Sequence, residues 1–418
     1  PYRLLQQIGE GGMGEVWLAE QSTPIRRRVA VKVIKRGMDT KAFVARFEAE
    51  RQALAMMDHP TIAKVFDAGE TADGRPFFVM EHIQGEPITN YCDTHRLSTR
   101  DRLELFTEVC AGVQHAHQKA IIHRDLKPSN VLVTIQDGGP VPKIIDFGVA
   151  KALAQPLTEK TMFTELGQMI GTPAYMSPEQ AEMSGLNVDT RTDVYALGVL
   201  LYQLLTGDLP FDVKELRKAG YSEMMRVLRE QEPPRPSTRV STLDDDSMTT
   251  ASNRRTEPSK LKHELKGDLD WVVMKAMEKD RNRRYDTANG LAMDIDRYLA
   301  DEPVVAGPPS NAYRARKFVR RHRVGVAVAA LLAVLLVAFG ATMAAQAGRI
   351  AAERDRAELV SNFMTELFYS SDTGETGGEE ITAREILDRG AERIENELAD
   401  DPETQARLMQ AMGDVYRN

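Results

Sequence analysis

"IIHRDLKPSNVLVTIQDGGPVPKIIDFG", Ile121 to Gly148, is the stretch that decides how this chain is read. It reads as loop, strand, turn, strand, loop, with Asp-Gly-Gly-Pro at 137–140 as the turn of an antiparallel hairpin. In such a hairpin the start of the first strand lies beside the end of the second, so Asn130 and Asp146 come to one edge. Two oxygen-bearing side chains there suit a divalent cation, and magnesium fits because it prefers hard oxygen ligands and substrate phosphates. Asp125, just upstream, is placed to accept a proton from an incoming hydroxyl, and Lys127 to neutralise charge on a transferring phosphoryl group. A salt-bridged surface loop is the plain alternative for His123–Asn130, but such loops rarely stand between Ile-Ile and Val-Leu-Val.

Toward the N-terminus stands "IGEGGMGEVWLAE" (Ile8–Glu20), with Gly9, Gly11 and Gly14 in G-x-G-x-x-G spacing. Alone this is compatible with a dinucleotide fold, a kinase or an ordinary turn. A dinucleotide fingerprint should open a helix, whereas Val16 and Leu18 alternate as in a strand. A Walker-type loop needs Lys after its last Gly, and Glu15 stands there. What remains is a hairpin whose backbone amides can lie over phosphates. The next strand, "RVAVKVI" (Arg28–Ile34), is interrupted by Lys32, which should face inward with Ala30. An inward ammonium needs an anion, and Glu50, on the predicted helix of "RFEAERQALAMM", is a suitable one. A snorkelling lysine on an edge strand is the alternative.

Together these residues resemble the eukaryotic-type protein kinase family, and the overall pattern resembles its bacterial transmembrane serine/threonine branch. The likeness runs from Tyr2 to Leu299, with the Gly-rich loop, "VAVK", "HRDLKPSN", "DFG" and "GTPAYMSPE" in order. It implies an α+β, two-lobed protein-kinase fold: a small β-rich N-lobe (1–82) and a larger helical C-lobe (83–302). ATP and magnesium would sit between the lobes, and protein Ser/Thr hydroxyls would accept the phosphate. By resemblance the nucleotide is met by Ile8, Gly9, Glu10, Gly11, Gly12, Met13 and Gly14, by Lys32 paired with Glu50, and by Glu81 of a hinge spanning Met80 to Ile83. Val16, Ala30, Met80, Ile83 and Leu132 would line the adenine pocket, each taken alone being as readily a core residue.

The resemblance also implies roles beyond the chemistry. Glu179 and Arg284 look like the ion pair that holds the segment after the activation loop, and Asp193 like the helix acid that supports the catalytic-loop backbone. Lys127 with Thr172 is similar to serine/threonine rather than tyrosine kinases. "SPE" in place of the commoner Ala-Pro-Glu, and His82 where Tyr is frequent, are departures that remove no catalytic atom. Arg124, directly before Asp125, is a cation suited to a phosphothreonine. Thr158, Thr161 and Thr164 are the candidates for it, Thr164 first and Thr161 second, the alternative being that they are merely soluble loop threonines.

The net charge of −8 gives no case for nucleic-acid binding by the whole chain. Cys92 and Cys110 are too few for a disulfide framework and read as buried thiols. The chain begins at Pro1 with neither Met nor signal peptide, and reads as a fragment of a longer protein. Residues 237–260 are polar and read as a surface loop. Residues 303–323 read as a basic linker, and Val324–Gly348, free of charge, as a membrane span. A helical stalk and linker (349–380) and the start of a helical region (381–418) follow, the last stretch resembling the first helix of a tetratricopeptide repeat, with an ordinary helical hairpin as the alternative. The basic flank puts the kinase lobes in the cytoplasm and the tail outside the inner membrane. The face from Val360 to Phe368 suits either a homodimer stem or packing on the repeats. A membrane-anchored kinase is therefore expected. A pseudokinase, or a scaffold working through its outer repeats, is the rival.

Overall fold

The period-two alternation of "RVAVKVI" folds as the middle of a sheet with both faces covered. In the computed structural model, residues 1–11, 14–35, 57–147, 173–182, 188–218, 220–242, 244–369, 383–397, 399 and 402–417 are described. They form two units, Pro1–Arg321 and His322–Asn418. In the first, strands β1 (Tyr2–Gly11), β2 (Gly14–Gln21), β3 (Arg27–Ile34), β4 (Val65–Glu70) and β5 (Pro76–Glu81) make an antiparallel sheet ordered β1-β2-β3-β5-β4. Val29, Val31 and Val33 point to one face, into a cluster with Ala19 and Val79. Ala30, Lys32 and Ile34 therefore point to the other, toward the C-lobe. Because β3 lies between β2 and β5, Lys32 is not on an edge strand.

The second sheet is small: β6 (Glu86–Pro87), β7 (Val131–Gln136) and β8 (Gly139–Ile144), with Asp137 and Gly138 making the expected turn between β7 and β8. Helices α1 (Ile88–Thr94) and α2 (Thr99–Gln118) lie between β6 and β7 in the chain. Ser98 and Asp101 close a capping box on α2, satisfying two N-terminal donors reciprocally. Beyond it lie α3 (Pro178–Ala181) and α4 (Thr190–Thr206). Helix α4 is buried on nearly every side and is the pillar of the lobe. It ends on Gly207 at φ 79°, a left-handed position that glycine takes without steric cost.

Helices α5 (Val213–Lys218), α6 (Tyr221–Glu230), α7 (Pro236–Thr242), α8 (Asp244–Ser252), α9 (Pro258–Leu265), α10 (Asp268–Ala276) and α11 (Ala288–Leu299) complete the lobe. The expectation of a surface loop at 237–260 is thus overturned, because α7, α8 and the start of α9 occupy it. Few apolar residues suffice there: Val240 and Ala251 are buried within the stretch, and Leu261 and Leu265 on the rest of α9. Polar contacts do the rest. Ser237 gives its N–H and hydroxyl to the buried Asp270 at 2.9 and 2.6 Å, and Arg254 reaches the Leu204 carbonyl at 2.8 Å.

The stretch read as a basic linker also carries structure. Asp294, fully buried on α11, accepts the N–H groups of Val305 and Ala306 at 2.7 and 2.8 Å, so the chain stays on the lobe after residue 302. It then forms helix α12 (Asn311–Arg321), the last element of the first unit.

The second unit opens with α13 (Arg323–Tyr369), one continuous helix of 47 residues. Its stretch from Arg323 to Asn362 is long and apolar enough to cross a membrane and is not buried by protein. Helices α14 (Ala383–Glu397) and α15 (Pro402–Arg417) follow. Ile394, Leu408 and Met412 form their shared core, with Val360 and Met364 packed against it. Of the two uses expected for that face of α13, these two residues serve packing.

Candidate active site

The loop that carries Asp125 is held in an unfavourable backbone geometry by contacts to the core. Arg124 has φ 63° and Asp146 φ 58°, left-handed values that cost energy in residues other than glycine. Asp193, on α4 and fully buried, accepts the N–H of His123 and of Arg124, each at 2.8 Å, and meets His117 Nε2 at 2.7 Å. Burial alone would raise the Asp193 pKa, yet His117 and His123 hold it below the usual carboxylate value. Burial lowers the pKa of His123. Its neutral ring fits the network: Nδ1 receives the Asp125 N–H at 3.3 Å while Nε2 lies 3.0 Å from the Ile145 carbonyl, assigning the proton to Nε2.

The hairpin brings its two ends together as its register requires. Val131 pairs with Ile144, and the Ile145 N–H donates to the Asn130 carbonyl at 2.9 Å, setting Asn130 and Asp146 side by side. Asn130 Nδ2 donates to the Asp125 carbonyl at 2.8 Å and reaches its Oδ2 at 3.2 Å. Lys127 Nζ lies 2.8 Å from the same Oδ2. The donor face of Asn130 is thereby used, and its Oδ1, 3.5 Å from the Ser129 hydroxyl, and the Asp146 carboxylate are the hard oxygen donors at this edge. Among the described residues no three His, Cys, Asp or Glu side chains converge to hold a metal. A cation at Asn130 and Asp146 would complete its shell with phosphate oxygens and water, which is magnesium's habit.

Lys32 Nζ lies 2.8 Å from Asp146 Oδ1. This ion pair crosses from the sheet of the N-lobe to the hairpin of the C-lobe; the expected partner Glu50 lies outside the described residues. A cleft of about 490 Å³ opens beside the pair, lined by Lys32, Asp146, Met80, Phe78, Val65 and Phe147 among others. Of the expected adenine-pocket residues, Met80 lines this cleft. Ala30 is paired across the strands with Met80, and Val16 with Lys32, which puts both on strands bordering it. Leu132, on β7, and Ile83, just past β5, are half-buried. The Glu81 carboxylate is engaged by Lys143 at 3.5 Å and the Lys64 N–H at 3.2 Å, and the Glu81 N–H donates to the Lys64 carbonyl at 2.8 Å.

Over the cleft, Gly9 pairs with Val16 and Gly11 with Gly14 at the end of the β1–β2 hairpin. Gly14 has a plain reason: a Cβ there would stand 2.3 Å from the Val33 carbonyl oxygen, so the strands could not pair. Ile8 is exposed on β1, and Glu10 pairs with Lys35 at 3.0 Å. Gly12, Met13, Thr158, Thr161, Thr164 and Thr172 lie outside the described residues.

Behind the site, Arg284 binds Glu179 through both nitrogens at 2.7 and 2.8 Å, and Thr192 donates to the same carboxylate at 2.8 Å. Burial would raise the Glu179 pKa, but Arg284 and Thr192 bring it below normal. Two features escaped sequence reasoning. Gln180 Nε2 donates to the Arg124 carbonyl at 2.9 Å, tying α3 to the catalytic loop. Arg124 Nε is buried with no hydrogen-bond partner among the described residues. The spacing Ser177-x-x-Gln180, a capping box, is the one sequence signal that marked Gln180.

This fold, a sheet lobe and a helical lobe meeting over a Lys–Asp pair and an Asp–Lys–Asn loop, matches the protein kinase domain model over residues 2–293. The chain belongs to the protein kinase family. It is 35% identical over 308 residues to serine/threonine-protein kinase PknB of Mycobacterium tuberculosis, covering 72% of this chain and 43% of that protein. It is 34% identical over 296 residues to probable serine/threonine-protein kinase PknB of Lactococcus lactis, covering 70% and 41%. The chain thus spans less than half the length of these curated relatives. The crystal structure of the PknI kinase domain of Mycobacterium tuberculosis aligns with a TM-score of 0.49 at 25% identity, over 71% of this chain and 95% of that one.

Proposed function

We propose that this chain is the catalytic portion of a membrane-anchored serine/threonine protein kinase, transferring the γ-phosphate of ATP to protein hydroxyls. The observation that carries the reading is the pairing of Lys32 with Asp146 in the wall of the cleft, together with the cluster of Asp125, Lys127 and Asn130 in the loop whose end, Asn130, the hairpin sets beside Asp146. Asn130 and Asp146 would hold magnesium, which supplies charge neutralisation of the phosphate oxygens. Lys32 binds the α- and β-phosphates. Asp125 orients the acceptor hydroxyl and takes its proton, and Lys127 neutralises charge on the group in flight. Chemistry of this kind rests on positioning and electrostatics, and the Asp193 network supports the backbone that does the positioning. The pseudokinase reading is disfavoured because Lys32, Asp125 and Asp146 are all present, and Lys32 and Asp146 line the cleft.

The finer parts of the reading have their own supports. The apolar stretch of α13 and its basic flank support a single span with the kinase inside and the tail outside. Arg124 Nε, buried and without a hydrogen-bond partner among the described residues, supports activation by phosphorylation between Asp146 and Glu179. The α14–α15 hairpin is compatible with a tetratricopeptide-like start, and Val360 and Met364, packed on it, are an argument against that face as a dimer stem. The chain is to be incubated with labelled ATP, magnesium and a generic basic protein, followed by acid hydrolysis. Labelled phosphoserine or phosphothreonine is expected; no transfer, or label on tyrosine alone, would overturn the assignment.

A further inference from the structure

We propose that helix α12 lies in the interface of an anionic phospholipid surface, with Ala312, Ala315, Phe318 and Val319 against the lipid and Arg314 and Arg316 on its phosphates. The helix is arranged inside out for one bathed only in water. Its inward face is polar. Tyr313 gives its hydroxyl to Asp268 at 2.9 Å, accepts the Val304 N–H at 3.1 Å, and sets its ring edge-on to Trp271. Lys317, only 8% exposed, is paired with Asp268, and Arg320 and Arg321 reach Asp301 and Glu302 at 3.1 and 2.6 Å. With these charges turned to the lobe, positions 312, 315 and 319, at i, i+3 and i+7, and 318 beside them, fall on the opposite side.

Apart from Asn311 at the first position of the helix, that outer side is apolar. Phe318 is 60% exposed and Val319 47%, with Ala312 and Ala315 also exposed. Arg314 and Arg316 flank the stripe, one on each side, and both are exposed. An apolar stripe bordered by arginines is the pattern of a helix lying in a bilayer interface, where rings and methyls enter the acyl boundary and guanidiniums meet phosphate. Continuity argues for lipid over protein: Arg321 ends the helix three residues before Val324, where the apolar segment starts. Area argues the same way. A stripe on 11 residues is far short of the roughly 1,200 Å² that a stable protein interface buries. The inference rests on the reading of α13 as a membrane span. Its consequence is that the kinase lobe, fastened to the inner face of α12, is held against the membrane in one orientation.

The test uses the full chain in vesicles of phosphatidylcholine and phosphatidylglycerol, spin-labelled singly at Phe318→Cys, Val319→Cys, Leu335→Cys or Ile25→Cys. Native Cys92 and Cys110 are fully buried and will not compete. Collisions with oxygen should exceed those with a soluble nickel complex at 318, 319 and 335, and the order should reverse at 25. Nickel dominance at 318 and 319 with 335 in lipid overturns the proposal and leaves the span standing. Nickel dominance at 335 overturns the span, and the proposal with it. Dipolar broadening at 318 that vanishes on dilution with unlabelled chain would put a second copy on this face, which also overturns it. In Arg314→Gln/Arg316→Gln, or in phosphatidylcholine alone, the oxygen preference at 319 should fall. An unchanged preference in both would overturn the role of anionic lipid.

Discussion

Asp193 holds Arg124 in place by its backbone: the carboxylate, fully buried on α4, takes the Arg124 N–H at 2.8 Å while that residue stands at φ 63°. The loop that carries Asp125 is therefore anchored to the most buried helix of the lobe. Replacing Asp193 by Ala would orphan two buried N–H groups, each costing about 1–3 kcal/mol. We expect Asp193→Ala to lower the denaturant midpoint accordingly. Phosphotransfer should be lost at temperatures where the variant is still folded by circular dichroism. Retained activity in a folded Asp193→Ala would show that the loop keeps its geometry unaided.

Removing the proton acceptor separates binding from chemistry. Asp125→Asn should lower turnover by about 10²–10⁴-fold while nucleotide still binds, as read by fluorescent ATP analogue titration. Lys32→Met should weaken that titration as well. Near-normal turnover in Asp125→Asn would refute the role given to it.

Much of this site was legible from one dimension because hairpins carry register. The Asp-Gly pair at 137–138 sets the pairing of β7 with β8, and with it the adjacency of Asn130 and Asp146. What was not legible is where charge goes inside. Arg102 is 1% exposed and donates to the carbonyls of Leu97, Cys92, Leu204 and Asn253, partners up to 151 residues away. Arg254 lies buried nearby, its pKa lowered to about 9 by burial and by Arg102. A pattern of charges in sequence reads as solvated surface, so 237–260 looked like loop when its arginines and serines were fastening helices to the core.

Acid should unfasten the Glu179–Arg284 pair. The folded pKa of Glu179 lies below its unfolded value, so the pair's stabilisation is complete above roughly pH 4.3 and fades as pH falls through the folded value. In pH-dependent urea melts, Glu179→Gln should flatten the acid limb relative to wild type. Arg284→Met, leaving a buried carboxylate unpaired, should cost about 3–5 kcal/mol at neutral pH. An acid limb identical in Glu179→Gln and wild type would remove Glu179 from the account.

Phosphate on the activation segment should find Arg124. Mass spectrometry of active protein should show phosphate at Thr164 or Thr161, and Thr161→Ala/Thr164→Ala should lose most activity. Arg124→Ala should be as impaired and gain nothing from phosphorylation. Full activity in the double alanine variant would mean that the segment orders itself without phosphate.

Protease added to intact cells should trim only the tail after Gly348, since Arg314, Arg316, Lys317, Arg320, Arg321 and Arg323 outweigh Arg349 and Arg354. Digestion of the kinase lobes from outside would reverse the topology.

Helix α13 runs from Arg323 to Tyr369 without a break, and no proline falls within it. At about 1.5 Å per residue it is about 70 Å long, more than twice the thickness of a bilayer core of about 30 Å. Such a rod is stiff in torsion, because each turn is locked to the next by its backbone hydrogen bonds. A rotation imposed where Val360 and Met364 meet the α14–α15 hairpin would be passed along the continuous helix toward Arg323. If α13 spans the bilayer as proposed, what it would carry across is an angle, without any ion or ligand passing through.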